Sequence, residues 1–277
     1  PLSSPQRGGR RCWVLCPGGM SNGRDFYISN LGASAAIAAD ESWAVFHNPG
    51  QGGSRMRHTA RGLARTDCLS HFLGRIRADF DHIVVVGFSA GGMMAMKMAQ
   101  EARPVADAFV GVCSPDRIRK VFEEHSRWWT RPDVILSIWM YACARAAGLT
   151  DCKAWAGLPW PPTWHGYMKP RTERFFEALT GQWRPFEELE GEHFDGSLKS
   201  PVSVPCLRII CPSDPVVRCE TLEHALLKHC EVMWEPRGGH CGQFFCSPAC
   251  AQRLRQWVLE AERGLPNEPA CRSVTAA

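Results

Sequence analysis

Short apolar runs alternate along this chain with segments that repeat apolar side chains every three or four positions. The runs predict buried strands over residues 12–16, 42–47, 83–86, 108–113, 206–211 and 231–234. The periodic segments predict helices over residues 27–39, 69–80, 93–99, 222–227 and 254–261. Strands that alternate with helices in this way predict the α/β class, with a mostly parallel, doubly wound sheet.

The regular alternation stops between residues 116 and 203, where Trp, Arg and Pro are frequent. The stretch 158–164 alone contains three prolines, which break regular structure. An interruption of this length between two strands is typical of an inserted lid. The pattern therefore divides the chain into an N-terminal core part (1–115), an inserted helical lid (116–203), a C-terminal core part (204–265) and a tail (266–277).

The segment Gly87-Phe88-Ser89-Ala90-Gly91 lies directly behind the third predicted strand and directly ahead of an apolar helix. A G-x-S-x-G pattern at a strand-to-helix turn is typical of a nucleophile elbow, in which the serine hydroxyl is exposed above the sheet. The glycines leave room for the neighbouring backbone and for the helix to approach. The pattern alone is common, and its position between strand and helix is what favours Ser89 as a nucleophile.

Two further polar residues follow predicted strands nearer the C-terminus. Asp214 lies in the turn after the fifth predicted strand, and His240 lies in a glycine-rich loop after the sixth. Taken singly, Asp214 fits a turn former before Pro215 and His240 fits a surface loop. Together with Ser89 they stand in the order Ser, Asp, His at three strand-to-loop junctions, and this order favours a catalytic triad.

The chemistry of a triad assigns a role to each residue. His240 takes the proton of the Ser89 hydroxyl as it attacks and later returns it to the leaving group. Asp214 holds the imidazole tautomer and stabilises the imidazolium. The negative charge on the attacked carbonyl oxygen needs preorganised N–H donors. We predict these donors at Ala90, directly after the nucleophile, and at Gly19, in the loop after the first strand.

Asp116 is the competing candidate for the acid. It follows the fourth predicted strand, a position from which some α/β enzymes take their carboxylate. It also fits the N-cap of a lid helix, which needs no catalytic role. The pattern favours Asp214.

Six short segments carry a further signal, at residues 16–28, 46–54, 87–93, 198–207, 213–215 and 238–242. In these segments the chain resembles the α/β-hydrolase-domain esterases and lipases that include plant embryogenesis-associated proteins and bacterial YheT. The resemblance implies the α/β-hydrolase fold, the triad Ser89, Asp214 and His240, and hydrolysis of carboxylic esters. It also implies a frequent N-terminal membrane anchor. Phe244-Phe245-Cys246 stands where an acidic residue is common in members proposed as acyltransferases, which weakens that activity here.

We therefore expect a serine hydrolase that cleaves acylglycerol or short- to medium-chain acyl esters, with no metal or organic cofactor. The lid tryptophans either wall an apolar acyl site or form the core of the lid itself; they are Trp128, Trp129, Trp139, Trp155, Trp160 and Trp164. Two other functions stay open. One is a thioesterase or peptidase of the same fold, and the other is a catalytically silent hydrolase-fold interaction protein.

The composition limits the classes of molecule that this protein is expected to bind. With 45% hydrophobic and 22% charged residues in 277, the chain has the make-up of an ordinary globular protein. A net charge of +4 without basic runs predicts no nucleic-acid partner, so a small-molecule or lipid ester is the expected one. The apolar stretch 134–144 is too short to span a bilayer, so membrane association would come from a segment upstream of Pro1. The sequence leaves the location open between cytoplasmic and membrane-associated.

Fourteen cysteines are many for this length. Cys241, Cys246 and Cys250 form a cluster, but their spacing matches no standard zinc finger and no fourth ligand is evident nearby. Buried free cysteine behaves as a small hydrophobic residue. We therefore expect free thiols here and no metal site.

Overall fold

The computed structural model describes residues 10–18, 21, 23–48, 66–101, 103–117, 119–121, 173, 177, 182–193, 195–196, 198–223 and 227–264. Within these residues, six strands form one sheet in which every neighbouring pair is parallel. The strands are β1 (Arg11–Cys16), β2 (Ser42–Val45), β3 (His82–Phe88), β4 (Ala108–Val112), β5 (Cys206–Ile210) and β6 (Glu231–Trp234). Their order across the sheet is β2-β1-β3-β4-β5-β6. The predicted parallel α/β sheet is confirmed.

Helices connect the strands and cover both faces of the sheet. The helices with described bounds are α1 (Phe26–Gly32), α2 (Asp67–Ile76), α3 (Ala90–Met98), α4 (Phe186–His193), α5 (Gln243–Cys246) and α6 (Pro248–Glu262). Single 3₁₀ turns occur at Arg77–Asp79 and Cys219–Thr221. Among the described residues, no helix has the length and apolar character that crossing a membrane requires.

Alternate residues of the central strands face opposite sides of the sheet. Trp13 and Leu15 of β1 pack in one apolar cluster with residues of α1 and α6. Cys12 and Val14 of the same strand pack in a second cluster with residues of α2 and α3. Because both faces are buried, these strands have continuous apolar sequences, which is why the runs could be recognised.

Two predicted helices differ from the structure. The helix expected over residues 27–39 ends at Gly32, because the Ser34 hydroxyl donates to the Leu31 carbonyl oxygen at 2.8 Å and turns the chain there. The helix expected over residues 222–227 is wrong at its start, where Leu222 has extended dihedral angles of −80° and 140°.

Most of the predicted lid, including its six tryptophans, lies outside the described residues, as does the tail 266–277. At the base of the predicted lid, Arg117 forms an antiparallel bridge with Asp195. The two ends of the interrupted region therefore lie side by side at the sheet.

The strand order reverses beside β1, because β2 lies on one side of this strand and β3 on the other. In open α/β sheets, ligands bind beyond the carboxyl ends of the strands at such a reversal. Here β1 ends at Cys16 and β3 ends at Phe88. Gly18 and Ser89 follow them, so the fold places these two residues at the crevice.

We expect Gly91→Ala to destabilise the protein. A Cβ atom at Gly91 would lie 2.2 Å from the carbonyl oxygen of Cys16, where α3 crosses the end of β1. Overpacking of this kind costs about 1–3 kcal/mol, which a lower midpoint of urea unfolding would show. The matched control is Gly74→Ala in α2, because nothing lies within 4 Å of a Cβ atom there. The control should gain up to about 1 kcal/mol from helix propensity, and an equal loss in both variants would contradict the close packing at Gly91.

Candidate active site

Ser89 is the single residue between β3 and α3, with φ 50° and ψ −117°. A positive φ in a residue with a Cβ atom is strained and persists only where the surrounding structure holds it. The N–H of Ser89 donates to the Val112 carbonyl oxygen at 2.9 Å, and its own carbonyl oxygen accepts the Met93 N–H at 3.1 Å. The sharp turn that the sequence predicts at Ser89 is therefore present.

Glycines allow this turn to pack tightly. A Cβ atom at Gly87 would lie 2.2 Å from the carbonyl oxygen of Gly91, and one at Gly18 would lie 3.2 Å from the Cβ atom of Ser89. The strand, the helix and the loop after β1 thus meet with almost no side chain between them. That loop passes directly beside the Ser89 side chain.

Tyr27 of α1 holds the loop after β1. Its hydroxyl accepts the Gly18 N–H at 3.0 Å and contacts the Ser21 hydroxyl, while its ring packs on Phe88 with the centroids 4.8 Å apart. Burial of the hydroxyl raises the pKa of Tyr27 far above its ordinary value, so the group stays protonated. Sequence analysis missed this role, because nothing in the spacing of Tyr27 indicates its partner.

The structure describes only one of the two predicted N–H donors. Gly19 lies outside the described residues. Ala90 is buried and is the first residue of α3. The N–H groups of the first turn of a helix have no partner within the helix, so the Ala90 N–H is one of those available to a ligand beside Ser89.

Asp214 and His240 are brought together. The imidazole Nδ1 lies 2.9 Å and 3.1 Å from the two carboxylate oxygens of Asp214. The carboxylate is buried, and the His240 side chain is 24% exposed. One carboxylate oxygen also accepts the N–H groups of Val216 and Val217 at 2.7 Å and 2.9 Å. These bonds hold the carboxylate in position for the imidazole.

The loop that carries His240 is braced by a buried amide. Gln243 donates from Nε2 to the Gly239 carbonyl oxygen at 2.7 Å and to the Cys113 sulfur at 3.0 Å. Gly238 and Gly239 have φ of 106° and 53°, which glycine adopts without strain. Sequence analysis missed Gln243, because a single glutamine just after a glycine-rich loop gives no signal of such a contact.

Cys113 lies where the site residues converge. It follows β4 directly, has φ 49°, donates from its thiol to the Gly239 carbonyl oxygen at 3.5 Å, and has its sulfur within 4.8 Å of a ring nitrogen of His240. The preceding residue, Val112, accepts the N–H of Ser89. Ser89 and His240 are therefore both in contact with the carboxyl end of the same strand. In the sequence Cys113 was only the end of an apolar run.

Asp116 has a different set of partners. Its carboxylate lies 2.6 Å from the guanidinium of Arg208 and accepts the Glu223 N–H at 2.7 Å. Both charged side chains are almost completely buried. Removing one member of such a pair typically costs about 3–5 kcal/mol, because the other charge stays buried alone. This ion pair accounts for Asp116 as a structural group that joins β5 to the base of the predicted lid.

The cysteines of the described residues are free thiols. Of the cluster Cys241, Cys246 and Cys250, Cys246 is exposed and Cys250 is buried on α6. The group that the described structure places within ligand distance is a different one, consisting of Cys113, His240 and Cys241. The grouping could not be seen in the sequence, because Cys113 is 128 positions from Cys241.

The environment of His240 changes its acidity. Burial lowers the pKa of the imidazole, whereas the hydrogen bonds to Asp214 and Cys113 raise it, and together they raise the pKa to about 9. Because this value is above the ordinary 6.5, protonated His240 contributes stability that is fully present below pH 6.5. That contribution is lost as the pH rises through about 9.

Comparison with known proteins agrees with this fold. Residues 13–252 match the family described as the alpha/beta hydrolase family, and the chain belongs to it. None of the curated proteins matches the chain in sequence. Among solved structures, the esterase Pf2001 of Pyrococcus furiosus is similar with a TM-score of 0.60 at 12% identity, over 92% of this chain and 84% of that one.

Two further solved structures have the same fold. Est1E from Butyrivibrio proteoclasticus, bound to ferulic acid, has a TM-score of 0.52 at 16% identity, over 92% of this chain and 90% of its own. DcsB, in complex with a substrate analogue, has a TM-score of 0.57 at 12% identity, over 92% of each chain. At these identities the likeness is one of fold.

We expect Asp214→Asn to lower the pKa of His240 from its value of about 9, because the largest cause that raises it is removed while burial, which lowers it, remains. The imidazole chemical shift in an NMR titration measures this change. Asparagine keeps an acceptor oxygen for Val216 and Val217, so the loop should persist. Asp116→Asn makes the same change at the competing candidate for the acid, and Ser213→Ala is a control in the turn that carries Asp214. A shift in Asp116→Asn that equals the shift in Asp214→Asn would contradict the pairing seen here.

Proposed function

We propose that this protein is a serine hydrolase that cleaves carboxylic esters, with Ser89 as nucleophile, His240 as general base and acid, and Asp214 as the supporting carboxylate. The observation that carries the proposal is the hydrogen-bonded Asp214–His240 pair at the same edge of the sheet as the strained turn of Ser89. We place the chain near the esterases and lipases of the plant embryogenesis-associated and YheT type.

The proposed reaction begins when the Ser89 oxygen attacks the carbonyl carbon of the ester. Neutral His240, whose share grows as the pH rises through about 9, takes the hydroxyl proton on Nε2, because its Nδ1 is bonded to Asp214. The tetrahedral intermediate then collapses, the proton passes to the leaving alcohol, and the acyl group stays on Ser89. Water attacks this acyl-enzyme with His240 again as the base. The acid leaves, and the proton returns to the Ser89 oxygen.

The negative charge of the tetrahedral intermediate needs N–H donors on the side of the crevice formed by α3 and the loop after β1. Ala90 supplies one of them in this proposal, and Gly19 supplies the other. Loss of one such donor typically lowers the rate by about 10²–10³. Tyr27 supports the arrangement, because its bond to the Gly18 N–H holds the loop beside Ser89.

The proposed substrates are acylglycerols or simple esters with short to medium acyl chains. The support for this class is the resemblance of the core segments to known esterases and lipases, together with the number of tryptophans in the predicted lid. Each buried methylene contributes about 0.8 kcal/mol, so a few carbons of acyl chain can dominate the choice of substrate. Neither a metal nor an organic cofactor is part of this proposed chemistry.

We expect a fluorophosphonate probe to label the protein on Ser89 and to leave Ser89→Ala unlabelled, because the probe reacts with an activated serine. Gel fluorescence after labelling measures the result, with circular dichroism to establish that the variant is folded. Ser213→Ala is the matched control and should be labelled like the wild type, since that side chain faces Pro236. Equal labelling of wild type and Ser89→Ala would refute the assignment, and no labelling of either would favour a silent interaction protein.

We expect the purified protein to hydrolyse p-nitrophenyl or glycerol esters much faster than any peptide amide, with a rate that depends on acyl length from acetyl to decanoyl. The reason is the apolar contribution of the acyl chain in a site under the lid. Values of kcat/KM across a series of acyl chains measure it, and Ser89→Ala sets the background. A preference for peptide amides, or a rate independent of chain length, would exclude an acyl-binding lid.

A further inference from the structure

Two cysteine side chains lie close to the histidine of the proposed triad, and all three side chains are of types that can bind a metal ion. The sulfur atoms of Cys113 and Cys241 and one ring nitrogen of His240 all lie within 4.8 Å of one another. One comes from the residue after β4, and the other two are consecutive residues in the loop after β6. Both thiols are buried, and the imidazole is partly exposed, which gives a small ion a route to the group.

The backbone holds both thiols in an uncommon conformation. Among the described residues other than glycine, positive φ occurs at Ser89, Cys113 and Cys241. Such residues cluster at active sites and ligand clamps, since the surrounding structure must hold them. The proposed reaction uses the strain at Ser89, but it assigns no task to either cysteine.

The donor set is one that zinc uses in proteins. Two cysteine sulfurs, one histidine nitrogen and a position open to solvent make up one of the known tetrahedral arrangements for Zn²⁺. With Zn–S bonds of about 2.3 Å and Zn–N bonds of about 2.0 Å, the donors of a tetrahedral site are about 3.5–3.8 Å apart. The group here therefore needs to contract by about 1.3 Å or less to close on the ion.

Neighbouring groups orient two of the three ligands. The Cys113 sulfur accepts hydrogen bonds from Gln243 Nε2 at 3.0 Å and from the Cys241 N–H at 3.5 Å, which fix its position in the group. Asp214 is bonded to the imidazole, as carboxylates commonly are to histidines that bind zinc.

We propose that Cys113, Cys241 and His240 form an inhibitory binding site for Zn²⁺, separate from any requirement of the reaction itself. Binding releases one proton from each thiol to solvent, and the ion bonds to two thiolates and the imidazole. An ion on Nε2 takes the lone pair that would accept the Ser89 proton. An ion on Nδ1 displaces the bond to Asp214. Inhibition by either route rests on the proposed function, whereas binding of the ion does not.

Binding is tested with Co²⁺, which absorbs strongly in the near ultraviolet when a thiolate coordinates it. Metal-free wild-type protein should bind one Co²⁺ with a thiolate band, and Zn²⁺ should abolish the band. Cys113→Ser and Cys241→Ser should each weaken binding about tenfold or more, since loss of even an outer-shell group can cost that much. Cys246→Ser is the control, because that thiol is exposed and outside the group, and it should bind like the wild type.

Two separate variants are used, Cys113→Ser and Cys241→Ser, because one of them could fail to fold. The thiolate band of the wild type tests binding without any variant. No thiolate band in the wild type, or a band in both folded Cys113→Ser and Cys241→Ser equal to that of the wild type, would overturn the site.

Zinc should also lower ester hydrolysis by the wild type and by Cys246→Ser, with recovery on adding a chelator. Hydrolysis that is unaffected by zinc while the band forms would refute the inhibitory role. A band in a protein without hydrolase activity would refute the proposed function but retain the site.

Discussion

The close contact between the backbone of α3 and the ends of β1 and β3 is the constraint on which the rest of the site depends. At Gly87 and Gly91 the approach leaves no space for a Cβ atom. This contact directs the first turn of α3 at the crevice, and it forces the chain through a positive φ at Ser89. A side chain at either glycine would push the helix away from the sheet. The close packing that forces the positive φ at Ser89 would then be lost.

Buried polar groups position the loops that the sheet alone leaves free. Tyr27 holds the loop after β1, Gln243 braces the loop of His240, and Asp116 ties the base of the predicted lid to Arg208. A buried polar group without a partner is costly, so each of these residues selects one arrangement of its loop. The catalytic geometry proposed here is therefore maintained by residues that take no part in the chemistry.

The same convergence of loops also creates the proposed metal site. The carboxyl ends of parallel strands meet at one edge, so residues that are distant in sequence come into contact there. Cys113 is in this position because β4 lies between the strand before Ser89 and the strand before Asp214. Burial in this packing lowers the pKa of His240 and the hydrogen bond to Asp214 raises it, while the same packing puts two soft thiol ligands close to the ring.

The sequence by itself determined the parallel α/β sheet and most strand positions, because strands buried on both faces must be continuous apolar runs. It also indicated the turn at Ser89, and it selected Asp214 as the partner that the structure places beside His240, since residue order along the chain follows strand order in such folds. Local pattern erred at residues 33–39 and at Leu222, where a side-chain hydrogen bond and an extended backbone end or replace the helix. Only the tertiary structure decided the partners of Asp116, Tyr27, Gln243 and Cys113, because each contact joins segments brought together by the sheet and not by spacing along the chain.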